Sequence, residues 1–127
     1  MEKRFWLGVG VLAALLAVSI AVTAAMKAIH EPAAEGFAEA ARIALEGDLP
    51  AAAARGRQAR QRWQASRSFT ASVADHGPMD TVEDLLAEME VFAEAEDPEH
   101  FAAACARLAA AVKAMSDAHS PAWWNFL

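Results

Sequence analysis

The sequence predicts an all-α protein with one N-terminal transmembrane helix, followed by a small antiparallel bundle of about four helices. The first observation behind this prediction is an uncharged apolar run of 22 residues, from Phe5 to Met26. The second is that 34 of the 127 residues are alanine, a strong helix former, and that strand-like alternation is missing. The third is that apolar residues recur at helical spacing through the remaining segments.

The apolar run is long enough to cross a bilayer. As a helix it spans roughly 33 Å, compared with about 30 Å of hydrocarbon. Lys3 and Arg4 precede the run and Lys27 alone follows closely, which predicts a cytoplasmic N-terminus. We therefore expect a membrane anchor in residues 1–30, in contact with lipid through residues 5–26. Residues 31–127 are then expected to form an extracytoplasmic helical domain with an aromatic C-terminal tail.

Two further interpretations of this run stay open. A cleaved signal peptide, with a cleavage site near Val22-Thr23-Ala24, would yield a secreted helical protein. A row of small residues four apart, as in packed membrane helices, allows a homodimer; the row consists of Ala13, Ala17, Ala21 and Ala25.

Breakers and caps divide the soluble part into four predicted helices. Pro32 predicts a hinge where the chain leaves the membrane. Gly47 should end a helix that spans about 33–46, and Asp48 should cap the next, at about 49–74. The turn of residues 75–78 and a capping box that begins at Asp80 predict a third helix, to about residue 95. Asp97 should cap the last helix, which ends near residue 117.

The segments around Gly47-Asp48 and Glu96-Asp97 lie 49 residues apart and resemble each other. Two helix hairpins side by side would produce such an echo.

Trp63 aligns with Ala59 and Val73, so we expect it to be the large core residue of its helix. The one cysteine, Cys105, cannot form an intramolecular disulfide and is predicted to lie in the core.

Charge is distributed unevenly along the chain, whose formal net charge is −6. A basic block occupies residues 55–67 and an acidic block residues 80–99. Net acidity argues against a nucleic-acid partner. The basic block could contact lipid headgroups or an acidic polymer, but a basic helix beside an acidic one is the simpler interpretation.

Only one tight group of metal-binding residue types occurs in the sequence. Asp75, His76 and Asp80 could hold a divalent ion, since imidazole and carboxylate suit zinc, iron or manganese. The structural interpretation is that Asp80 caps a helix and His76 bonds to a neighbouring group, and we favour it. No nucleophile triad order, phosphate loop or CxxC motif occurs, so neither an enzymatic activity nor a cofactor is predicted.

The end of the chain is rich in large apolar side chains: Trp123, Trp124, Phe126 and Leu127. They could close the bundle, lie at the membrane interface as Trp often does, or dock into an unidentified protein partner. We expect intramolecular docking first.

Several short motifs follow one another along the chain: the N-terminal membrane helix, the helix with Trp63, the Asp75-His76 turn, Asp80, the acidic linker at Glu96-Asp97 and the final Asn125-Phe126-Leu127. Taken in this order, they resemble the bacterial DUF4363 family. The resemblance covers most of the chain after the anchor, although family members use more Leu, Ile, Lys and Glu. It implies a small membrane-anchored helical domain and carries no activity.

These observations predict a membrane-tethered, non-enzymatic interaction or accessory module. The alternatives are a metal- or ligand-responsive extracytoplasmic domain that uses Asp75, His76 and Asp80, and the secreted helical protein described above.

Overall fold

The computed structural model describes residues 2–67 and 76–118, except for the side chains of His76, Asp117 and Ala118. These residues form four helices, which confirms the all-α class. They are α1 (Glu2–Leu45), α2 (Leu49–Ala65), α3 (His76–Glu94) and α4 (Pro98–Ala118).

The second half of α1 forms an antiparallel four-helix bundle with the other helices. Helix α1 packs most extensively against α4 and α2, α3 packs on α4, and α2 meets α3 over a shorter stretch. Gly47 in the turn between α1 and α2 and Glu96 in the turn between α3 and α4 line the same cavity. These two tight turns therefore lie at the same end of the bundle, which we name the turn end. We name the opposite end the entry end. There α1 joins the bundle at Met26, and Ser116 of α4 lies nearby.

The predicted hinge at Pro32 is wrong, because α1 continues through it without a break. Proline removes one backbone hydrogen bond and ordinarily costs about 3 kcal/mol inside a helix. Here the helix persists because residues on both sides of Pro32 are buried; His30, Ala33 and Phe37 have no exposed surface. The predicted helix at 33–46 is therefore the second half of α1.

Two other predicted boundaries are also wrong. Helix α2 ends at Ala65, because both the backbone N–H and the hydroxyl of Ser66 donate hydrogen bonds to the carbonyl of Trp63. Helix α3 begins at His76, so Gly77 and Pro78 lie in its first turn, where a proline leaves no helical hydrogen bond unmade. Asp80 is consequently the fifth residue of α3 and not its cap.

The two tight turns have the same geometry. Gly47 (φ 99°) and Glu96 (φ 53°) both adopt the left-handed conformation. The next residue in each turn donates its backbone N–H to the carbonyl five residues earlier. The distances are 3.3 Å from Asp48 to Ile43 and 3.0 Å from Asp97 to Phe92. Each aspartate then caps the following helix, with 3.1 Å bonds from the N–H groups of Ala51 and His100. Both predicted caps are confirmed.

The echo between the two hairpins extends to the core. Five buried positions of α1 recur as buried positions of α3 after a shift of 49 residues, and the five buried positions of α2 recur in α4. The pairs are His30/Met79, Ala33/Val82, Gly36/Leu85, Phe37/Leu86, Ala40/Met89, Ala52/Phe101, Ala53/Ala102, Gly56/Cys105, Ala59/Leu108 and Trp63/Val112.

Trp63 is the largest fully buried side chain among the described residues, the burial that its place in the apolar row predicts. Its ring centroid lies 5.4 Å from that of His30 in α1. Its indole Nε1–H donates a 3.4 Å hydrogen bond to Oε1 of Glu83 in α3. Trp63 therefore joins α2 to the helices on both sides.

Candidate membrane-facing surface

The first half of α1 is exposed around its whole circumference. Every residue from 5 to 18 is exposed, including Phe5 at 66% and Leu15 at 62%. An 18-residue stretch of α1 has a mean hydropathy of 2.4 and no buried residue. This half is long and apolar enough to cross a membrane, a property that signal sequences share.

Burial on α1 begins near the end of the apolar run. Ser19, Val22, Thr23 and Ala25 are half-buried, and Met26 has no exposed surface. The Thr23 hydroxyl satisfies its donor locally, with a 2.9 Å bond to the Ser19 carbonyl. The last part of the apolar run is therefore already partly covered, and α1 passes into the bundle without an intervening linker.

A groove between α1 and α4 opens at the entry end of the bundle. Its volume is about 460 Å³. The lining includes two lysines and two glutamates, all of them exposed: Lys27, Glu31, Glu35 and Lys113. Four alanines and Ser116 complete the lining; the alanines are Ala34, Ala38, Ala109 and Ala110.

The charges of this groove belong to none of the ion pairs that the structure describes. Those pairs involve other residues, and most of them join different helices. The groove thus places two positive and two negative side chains around a small-residue surface without pairing them to each other.

Charged side chains between α2 and α3, unlike those of the groove, form ion pairs with each other. Arg57 and Arg60 both bind Glu90, at 3.1 Å and 2.8 Å, and Arg67 lies 3.6 Å from Glu83. The hydrogen bonds that Arg57 donates to Glu90, and then the negative charge of Glu90, raise the pKa of Arg57 above its usual value. The predicted placement of a basic helix beside an acidic one is confirmed.

The predicted metal-binding turn falls largely outside the described residues. Asp75 is not described, and neither is the side chain of His76. Asp80 is exposed on α3. Within the described part of the chain, no three His, Cys, Asp or Glu side chains lie together as a metal site would require. The metal hypothesis for this turn stays a prediction.

The aromatic tail also lies outside the described residues, which end at residue 118, so its predicted docking stays a prediction. Helix α4, which leads to Trp123, Trp124, Phe126 and Leu127, runs toward the entry end.

Cys105, in the middle of α4, is fully buried as predicted, and burial raises the pKa of its thiol to about 12. The thiol therefore stays protonated at neutral pH and is a poor nucleophile.

Sequence reasoning missed both the groove and the contact of His30 with Trp63. The signal for the groove was present, because Lys27, Glu31 and Glu35 recur four residues apart and so share one helix face. The expected hinge at Pro32 concealed it by assigning Lys27 and Glu35 to different helices. The burial of His30 had a similar signal, since His30 lies one helical turn after Met26 on the buried face of α1.

The described residues thus define an all-α protein with a four-helix bundle and an exposed apolar helix extension. Comparisons with protein-family models, with curated proteins and with solved structures found no match. The resemblance to the DUF4363 family stays a prediction.

Proposed function

We propose that this chain is a single-pass membrane protein that holds a four-helix bundle against the extracytoplasmic membrane surface, where the bundle acts by binding rather than by catalysis. One observation carries the proposal. Helix α1 is a single helix whose exposed apolar half leads directly into its buried half. The anchor and the bundle share this helix, so the height of the bundle above the membrane is fixed.

The exposed half of α1 supports retention in a membrane. A contiguous apolar surface of this length is unfavourable in water, and soluble proteins rarely expose one. In lipid the same residues are well solvated, and the helix satisfies its own backbone hydrogen bonds. Lys3 and Arg4 support a cytoplasmic N-terminus.

The entry end supports a binding role at the membrane surface. The charged groove opens there, and α4 directs the chain toward the same end before Trp123 and Trp124. Tryptophan favours the membrane–water interface and is frequent in protein contacts. A lipid or protein partner would therefore meet the bundle beside its anchor.

Two matched arginine substitutions test the anchor. Leu15 (62% exposed) and Leu45 (69% exposed) are both exposed leucines of α1, one in each half. An arginine in the middle of a membrane helix costs about 2.5–3.5 kcal/mol, so Leu15→Arg should release protein from the membrane fraction after a carbonate wash. Leu45→Arg, which faces water at the turn end, should leave retention unchanged.

Topology and processing are measured in the same preparation. Protease added to intact spheroplasts should digest the bundle of the full-length protein, and its intact mass should include residues 1–25. A bundle that is protected until lysis contradicts the orientation. A mature chain that begins after Ala24 contradicts the anchor and favours a secreted protein.

A further inference from the structure

The groove between α1 and α4 has the charge pattern of a binding site for a zwitterionic lipid headgroup. We propose that it binds a phospholipid whose headgroup carries a primary ammonium, as in phosphatidylethanolamine. The phosphate lies toward Lys27 and Lys113, and the ammonium lies toward Glu31 and Glu35. This inference rests on the proposed membrane anchoring and adds the lipid class that the bundle recognises.

Position along α1 places the groove at headgroup height. Lys27 is the first charged residue after the apolar run and directly follows the buried Met26. Glu31 and Glu35 lie one and two helical turns farther from the membrane, about 6 and 12 Å along the axis. A headgroup that enters from the bilayer therefore meets a lysine first and the carboxylates above it.

Charge composition selects a zwitterion over a simple ion. The groove has two residues of each sign, and none of the four is engaged in a described ion pair. A purely anionic headgroup would be repelled by Glu31 and Glu35, and a cation by Lys27 and Lys113. A phosphate followed by an ammonium satisfies both pairs in one ligand.

Hydrogen bonding separates a primary ammonium from a quaternary one. A primary ammonium has three N–H donors and forms charge-assisted bonds with carboxylates, whereas a trimethylated nitrogen has none. Apart from the four charged residues, the lining of the groove is small, with Ala34, Ala38, Ala109, Ala110 and Ser116. A volume of about 460 Å³ lies within the range of small-molecule sites.

Lipid selectivity of the full-length protein tests the proposal. The chain is incorporated into nanodiscs that contain equal amounts of phosphatidylethanolamine, phosphatidylcholine and phosphatidylglycerol, and the lipids it retains are identified by native mass spectrometry. We expect phosphatidylethanolamine to be retained roughly tenfold or more over phosphatidylcholine, which is the lower end of what one hydrogen bond to a charged group contributes.

Three variants assign the selectivity to the groove. The double variant Glu31→Gln with Glu35→Gln should make retention of the two zwitterionic lipids equal. Ala110→Phe keeps all four charges but places a ring at an exposed position of the groove, and should reduce retention of both lipids. The control Asp84→Asn with Glu99→Gln removes two exposed carboxylates from α3 and α4 outside the groove, and should keep the wild-type preference.

Equal retention of phosphatidylethanolamine and phosphatidylcholine by the wild type overturns the proposal, as does a control variant that loses the preference. Tightest retention of phosphatidylglycerol also overturns it, because the lysines then act alone. Failure of the chain to enter nanodiscs contradicts the membrane anchoring itself, whereas entry without selectivity contradicts the headgroup site alone.

Discussion

The α1–α2 and α3–α4 hairpins have the same turn and bury equivalent positions, but they fill those positions with side chains of different size. Where the first hairpin has Gly36 and Ala59, the second has Leu85 and Leu108. A Cβ atom added at Gly36 would lie 2.8 Å from the Cβ of Ala59, so α1 and α2 are in direct contact there. The burial pattern and the turn thus define the hairpin, while residue size sets how closely its helices pack.

The first hairpin contains two of the three largest fully buried side chains among the described residues, Trp63 and Phe37. Trp63 occupies the position equivalent to Val112, next to His30 and under Glu83. A close small-residue contact at Gly36 and a large ring at Trp63 leave little freedom to adjust. The second hairpin distributes its volume over Leu, Met and Phe side chains, which can repack.

The largest expected effect follows from truncating Trp63. Trp63→Ala should lower the free energy of unfolding by about 3–5 kcal/mol, because it leaves a cavity and removes the hydrogen bond to Glu83. Val112→Ala, at the equivalent position of the other hairpin, removes far fewer atoms and should cost less than half as much. Chemical denaturation of the full-length protein in detergent, followed by circular dichroism, measures both. A loss below about 1 kcal/mol for Trp63→Ala would place the residue at the surface.

A single methyl group at Gly36 tests the close contact. Gly36→Ala gains roughly 1 kcal/mol of helix propensity, but the Ala59 Cβ cannot move away, so we expect a net loss of about 1–2 kcal/mol. At Gly56 the added Cβ would meet the Met89 Sδ at 2.9 Å, and that flexible side chain can shift. Gly56→Ala should therefore be close to neutral in the same denaturation experiment. Equal losses for the two variants would show that the Gly36–Ala59 contact inside the first hairpin is no less adaptable than the Gly56–Met89 contact between the two hairpins.

The smallest expected effect concerns the turns. Gly47 has open space around its Cα, so Gly47→Ala should lose about 1 kcal/mol through backbone strain alone. Glu96 is in the same left-handed conformation, and Glu96→Gly should stabilise the protein by a similar amount. Thermal unfolding of the two variants checks the opposite signs. A destabilised Glu96→Gly would mean that the glutamate side chain contributes more than its backbone strain costs.

Much of this fold could be predicted from the sequence because the signals are local. Asp48 and Asp97 cap helices through hydrogen bonds to residues three positions on, and Gly47 marks a turn that few other residues tolerate. Helical spacing identified Trp63 and Cys105 as core residues. The blocks of basic and acidic residues were long enough to predict that α2 lies beside α3.

Tertiary packing decided what local signals could not. Considered by itself, Pro32 predicts a break in the helix. Helix α1 nevertheless continues, because burial of the flanking residues offsets the lost hydrogen bond. That continuity also created the groove, since it aligns Lys27, Glu31 and Glu35 on one helix face opposite Lys113. Such a site depends on how two helices distant in sequence pack together, and only the folded chain brings its four charges into one place.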